Sequence, residues 1–220
     1  GREKMKAISG IRMTGKMLVG PGIEAPFTLD MARPAKMRME FSIQGMTAIQ
    51  TFDGTAGWAL MPFLGKKEAE AMAEDDLKQA RDQADFDGAL VDYRDKGHTV
   101  EMIGKEDIEG TPAYKLKVTK KSGDVQNVFI DAESFLDIKI TSKNTVRGQE
   151  IETETSIGDY KEVAGVLMPF SIQSQAKGAP AGQGGFAMTI EKIEANPSLA
   201  ADHFGKPEMK GAAAGAPPQN

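Results

Sequence analysis

The chain has no cysteine, which removes disulfides, thiolate nucleophiles and cysteine-ligated metals together. It has only two histidines, His98 and His203, far apart in sequence, and each is expected to pack or sit at the surface rather than to bind metal or catalyse. No apolar run approaches the roughly 20 residues of a membrane-spanning helix, so the chain is not expected to span a membrane. A basic block is missing as well. The 27 Lys and Arg are set against 32 Asp and Glu, a formal charge of −5, and nothing tracks a phosphate backbone, so no nucleic acid is expected as a partner. Nucleophile elbow, P-loop, H-E-x-x-H and complete dinucleotide fingerprint are all absent. The expectation is a protein that is not an enzyme, with no cofactor and no metal.

Two features that could suggest ligands have plainer explanations. Asp85, Asp87, Asp92 and Asp95 lack the one-three-five spacing and distal Glu of a calcium loop, and fit helix capping and a solvated face. The glycine-rich stretch at 178–185 precedes a strand, whereas a phosphate cradle needs a helix N-terminus. It reads as a hairpin loop.

What is present is ordinary in amount and unusual in kind. The 220 residues, 40% apolar and 27% charged, suit a single globular domain, assigned to residues 1–207. Gly1-Arg2-Glu3-Lys4-Met5 reads as the remainder of a helix whose start lies upstream. Residues 208–220, rich in Gly, Ala and Pro and without periodicity, read as a disordered tail. Thirteen methionines are the outlier, since Met is concentrated where an apolar surface must adapt to varied ligands.

Period-two alternation dominates the first sixty residues. Ile11, Met13, Gly15, Met17 and Val19 share one face of a strand; Arg12, Thr14, Lys16 and Leu18 share the other. Phe27, Leu29 and Met31 alternate with Thr28, Asp30 and Ala32. Met37, Met39, Phe41 and Ile43 alternate with Lys36, Arg38, Glu40 and Ser42, which places Arg38 on the polar face. Turns at 20–22 and at Arg33-Pro34 make these a meander of hairpins, with short strands following at 47–53 and 57–61. The period then changes. Residues 66–84 carry Ala69, Met72, Ala73, Leu77, Ala80 and Ala84 at helical spacing, and this thin-striped helix, flanked by Gly65 and Gly88, is expected to act as a lid. A short helix is expected at 88–93 and another at 198–203. Strands are expected at 98–103, 113–120, 125–131, 136–146, 149–160, 170–176 and 186–194, with a turn at 147–148 between two of them.

The candidate site is the apolar sheet face. Met13, Met17, Phe27, Leu29 and Met31 would line it with Met37, Met39, Phe41 and Trp58, while Met72 and Leu77 face it from the helix. A close-packed core would use the same residues. A wide sheet beneath a stripe of Ala and Met, however, leaves room for an apolar cavity.

Asp53-Gly54-Thr55-Ala56-Gly57-Trp58, with Pro62 and the acidic helix after it, resembles the first half of outer-membrane lipoprotein-sorting proteins. Further on come Gly97-His98-Thr99-Val100-Glu101, Gly104, Gly110, Tyr114-Lys115-Leu116 and Val128-Phe129-Ile130-Asp131. Asp159 to Val166 with Pro169, then Asn196, Phe204 and Pro207, complete the series, which is similar to the LolA/LolB-like superfamily over residues 1–207. The resemblance implies an α+β, mostly β fold: an unclosed antiparallel half-barrel of about eleven strands wrapped around helices. It also implies a cavity for lipid or lipoprotein acyl chains, a periplasmic address with a signal peptide upstream, and an inner- or outer-membrane transport partner. The functional expectation is a non-enzymatic carrier or sensor. The alternative is a structural or protein-interaction module with a filled core, accessory to an envelope complex.

Overall fold

A computed structural model of the chain describes residues 1–19, 22–146, 149–177 and 185–208. The expected turns at 20–21 and 147–148, the loop at 178–184 and the tail at 209–220 lie outside the described residues. The first half of the chain forms α1 (Arg2–Lys6), β1 (Gly10–Leu18), β2 (Glu24–Ala32), β3 (Lys36–Ile43), β4 (Met46–Phe52), β5 (Gly57–Leu60), β6 (Glu70–Ala71) and α2 (Glu74–Gln83). The second half forms β7 (Thr99–Ile108), β8 (Thr111–Thr119), β9 (Val125–Asp131), β10 (Asp137–Val146), β11 (Gln149–Val163), β12 (Val166–Ala176) and β13 (Gly185–Ala195).

These strands make one antiparallel sheet in the order β6-β5-β4-β3-β2-β1-β13-β12-β11-β10-β9-β8-β7. The chain meanders from β1 to one edge, crosses by α2 and the turns after it, restarts at the far edge and meanders back onto β1. The two edges, β6 and β7, do not pair, so the sheet is open. Thirteen strands are described where about eleven were expected, the shortest being the two-residue β6.

Register assigns the faces. One row runs Ile11–Met31–Met37–Phe52 and the next Met13–Leu29–Met39–Gln50, with Phe27 opposite Phe41 in a third. These apolar rows form the inner face, onto which α2 packs Leu77, Ala80 and Ala84 against Met37 and Phe52. The largest core cluster spans the junction of the two halves, bringing Ile11, Met13 and Phe27 against Phe170, Met188 and Ile193. Each such burial is worth about 1.5–3 kcal/mol. The alanine-rich stripe of α2 buries far less, so the sheet junction, not the helix, carries the fold.

The outer face differs from expectation. Its row reads Arg12–Asp30–Arg38–Thr51–Trp58, yet residues 196–208 cross it and cover the charges. Asp30 is 2% exposed and accepts hydrogen bonds from Arg12 Nε at 2.7 Å and Nη2 at 3.0 Å. His203 Nε2 lies 2.7 Å from its Oδ2, the oxygen that Arg12 Nη2 also reaches. Arg38 donates to Glu40 at 2.6 Å and to the His203 carbonyl at 3.1 Å, and Phe204 is buried beside it. Arg38 is therefore a clamp for the C-terminal segment rather than a solvated residue. In the same row the Thr51 hydroxyl is buried with no hydrogen-bond partner among the described residues. Thr51→Val keeps the shape and removes that desolvated group, so urea denaturation should show a gain of about 1 kcal/mol. A loss of similar size would mean that the hydroxyl has a partner.

The helix expected over 66–84 is reduced to Glu74–Gln83. Upstream, the backbone finds better partners on the sheet edge: Glu70 and Ala71 pair with β5, and Met72 N donates to Gly57 O at 2.9 Å. Ala69 accordingly packs with Ile49 and Leu60 rather than on the helix stripe, and Ala73 is the extended N-cap. The acidic triplet Glu74, Asp75 and Asp76 in the first turn suits the helix dipole. No helix forms at 88–93, because Gly88, Asp92 and Gly97 adopt left-handed φ values of 73°, 53° and 77° and chain the segment into turns. Residues 198–203 likewise contain a turn rather than a helix, closed by His203 N donating to Ala200 O at 3.1 Å.

Candidate functional site

Between the inner faces of β1–β3 and of β12–β13 lies a cavity of about 430 Å³. Seven of the eleven sequence-assigned residues line it: Met13, Met17, Leu29, Met31, Met37, Met39 and Phe41. The other four lie elsewhere. Phe27, 4% exposed, is packed into the core cluster. Met72 and Leu77 pack with Met37 and Phe52 under α2. Trp58 is a correction of face: Phe52 pairs with Gly57, which puts Trp58 opposite Thr51 on the outer side, packed against the Ile49 and Leu60 cluster.

The second wall was not anticipated. Leu167, Met168, Ile172, Phe186 and Met188 come from β12 and β13, reaching the cavity because β13 pairs with β1 from Ile11↔Ala195 to Leu18↔Ala187. Their own alternation, Met168-Phe170-Ile172 and Phe186-Met188-Ile190, was the available signal. The pairing that turns it toward β1 joins opposite ends of the chain, which local pattern cannot reveal.

Met5 and Phe86 also line the cavity, and one residue holds both. Arg33 donates from Nε to Ile8 O at 2.8 Å and from Nη2 to Met5 O at 3.0 Å, and its guanidinium forms a two-pronged pair with Asp87. The same group lies 4.8 Å from the Phe86 ring centroid. The Asp87 hydrogen bond pushes the Arg33 pKa further up, so the guanidinium stays charged. Asp85 and Asp92 are also consumed by ion pairs, Asp85 with Lys96 and Asp92 with Arg2 and Lys6. Lys6 and Arg2 hold the Asp92 carboxyl below its ordinary pKa. Among the described residues no three His, Cys, Asp or Glu side chains gather to hold a metal ion. The two histidines do not converge either: His203 faces Asp30, whereas His98 Nδ1 accepts from Lys121 N at 3.1 Å. Burial, with Lys96 and Lys120 nearby, lowers the His98 pKa.

A wider cleft of about 920 Å³ adjoins the cavity, sharing Met5 and Leu167 with it. It is more open and partly charged, with Asp92, Arg94 and Asp95 along its wall, so it serves an apolar ligand less well than the adjoining cavity, whose lining has no charged side chain among the described residues. Phe135 and Leu167, 68% and 51% exposed, make an apolar lip there. Among the described residues no helix is long and apolar enough to cross a membrane.

Compared by sequence, the chain matches no protein-family model and no curated protein. Compared by structure, it is similar to a LolA superfamily protein from Nitrosomonas europaea, with a TM-score of 0.63 at 12% identity over 93% of this chain and 95% of that one. An outer membrane lipoprotein-sorting protein domain from Vibrio parahaemolyticus gives 0.61 at 12% identity, over 93% and 94%. This chain has the LolA fold. Some of the residues that carried the resemblance form turns of that fold. Asp53 Oδ1 accepts from Thr55 N and Ala56 N, both at 2.8 Å, to shape the β4–β5 turn. Ala164 and Gly165 make the β11–β12 turn with φ of 51° and 77°. Asn196, at φ 54°, accepts from Ser9 N and Oγ at 2.7 and 2.9 Å. Turn geometry constrains residue type more tightly than a packed face does.

Proposed function

We propose that this protein is a non-enzymatic carrier or sensor that holds acyl chains of lipid or lipoprotein in the apolar cavity. On this reading it works in the periplasm and exchanges cargo with an inner- or outer-membrane transport partner. The observation that carries the proposal is the lining itself: methionines from both halves of the sheet around a half-open space, without a charged side chain among the described residues. Flexible thioethers fit chains of varied shape. About ten buried methylenes would contribute roughly 8 kcal/mol before ordering costs, which leaves net binding weaker than micromolar and readily reversible. The apolar lip of Phe135 and Leu167 supports exchange at a membrane or partner surface.

Native mass spectrometry of protein taken from its own host, together with uptake of N-phenyl-1-naphthylamine, tests the proposal. Lipid-sized adducts and saturable uptake are expected. A wild-type protein with neither would favour the filled-core interaction module instead. Met39→Trp fills the middle of the cavity with a larger apolar ring. It should weaken uptake at least about tenfold, the equivalent of roughly 1.4 kcal/mol of lost apolar contact, while the far-ultraviolet spectrum is retained. A folded Met39→Trp protein with unchanged uptake would place the ligand elsewhere.

A further inference from the structure

The cavity lining contains two polar side chains among the described residues, the carboxamides of Gln50 and Gln83. Gln50 stands in the middle of β4, opposite Met39 on one side and Ala59 on the other. Its neighbours on the same face, Ala48 and Phe52, are both fully buried. An amide in such a row loses hydration without gaining packing, unless something hydrogen-bonds to it. Neither glutamine side chain has a partner among the described residues; Gln50 is half-buried and Gln83 is exposed. Gln83 borders the space from the exposed end of α2. The cavity therefore offers amide donors and acceptors together, and no cation. Arg33, which contacts Met5 and Phe86 of the wall, is committed to Asp87 and to the carbonyls of Met5 and Ile8.

We infer that Gln50 and Gln83 select the polar end of the bound chain: a neutral acyl ester or amide, and not a free fatty-acid anion. This rests on the carrier reading and adds the class of cargo. A carboxamide can donate to an ester or amide carbonyl and accept from an amide N–H or a glycerol hydroxyl. A carboxylate brought beside Gln50, between the buried Ala48 and Phe52, would lose hydration with no charged side chain in the lining to offset it. The shared chemistry is the acyl carbonyl, which a glycerolipid supplies as an ester and an N-acylated lipoprotein terminus as an amide.

Displacement of N-phenyl-1-naphthylamine at pH 8 by monopalmitoylglycerol, an N-palmitoyl dipeptide amide and palmitate tests the inference. At least one neutral probe should bind about tenfold or more tighter than palmitate, the scale of one desolvated charge or one well-made hydrogen bond. Which neutral probe is preferred identifies the ester or the amide source. Gln50→Leu, similar in volume, should reduce that ratio severalfold, and Gln83→Leu should reduce it too. Palmitate binding as tightly as both neutral probes, as it would with its carboxylate left in solvent at the mouth, overturns the inference while leaving the carrier reading intact. A preference that survives both substitutions also overturns it, since the glutamines would not be its source. Failure of the naphthylamine itself to bind brings down the carrier reading and this inference together.

Discussion

Gly15→Ala is expected to cost about 3 kcal/mol or more and to abolish ligand uptake near physiological temperature, the high end for overpacking because the obstacle is backbone. Gly15 sits where β1 meets β13, and the register slips by one residue between Thr14 and Gly15. There the two backbones come so close that a Cβ would lie 2.1 Å from Thr189 O and 2.9 Å from the Ile190 Cα. A flexible side chain could move aside; a paired strand can do so only by breaking its ladder. This seam is also the single junction between the β1–β6 half of the sheet and the β7–β13 half, and the cavity has one wall on each side. Urea denaturation followed through Trp58, the only tryptophan, would read the loss. Gly158→Ala in β11, where an added Cβ meets nothing within 4 Å, is the matched control and should melt near wild type. A Gly15→Ala protein that melts with this control would show that the seam relaxes freely.

The parts of this fold that were legible in the sequence are those that local pattern determines. Alternation in β1, β2 and β3 gave the inner face, and with it seven residues of the cavity wall, since a one-sided apolar strand has only one way to face a core. Trp58 was misassigned because the turn at Asp53 to Ala56 fixes the parity of β5 and hydrophobicity alone does not. Residues 66–73 have helix-forming composition, yet the β5 edge offered hydrogen bonds to Glu70, Ala71 and Met72 that propensity does not weigh. The β12–β13 wall depended on a pairing between chain ends. Arg12, Asp30 and Arg38 look like a solvated strand face until residues 196–208 cover them, and no feature of those three residues announces a cover supplied by a distant segment. Gln50 was passed over for a related reason: a lone polar residue in a strand carries meaning only once its row is known to be apolar.

Asp30→Ala should destabilise the protein by about 3 kcal/mol, the low end for removing one partner of a buried pair. Its carboxylate contacts both Arg12 and His203, with the side chain 3% exposed. The Asp30 hydrogen bond pushes the Arg12 pKa further up, so truncation leaves a guanidinium that cannot shed its charge. The Arg12 side chain is 34% exposed, and the water it reaches holds the cost to that low end. For a chain of this size the loss corresponds to a fall in Tm of roughly 6–12 °C. Asp30→Asn keeps the shape and one acceptor, and should lose about half as much. The two variants also separate the clamp from the cavity. Leu29 and Met31 flank Asp30 in sequence and point to the opposite face, where they line the cavity. Well below its melting temperature, then, Asp30→Ala should still take up N-phenyl-1-naphthylamine, while proteolysis near His203 and Phe204 accelerates. Stability within about 0.5 kcal/mol of wild type, the range of an ordinary surface substitution, would mean that the C-terminal segment is not held by these charges. Unchanged proteolysis in a destabilised protein would mean instead that Asp30 secures β1 and β2 to each other and leaves the segment to the burial of Phe204.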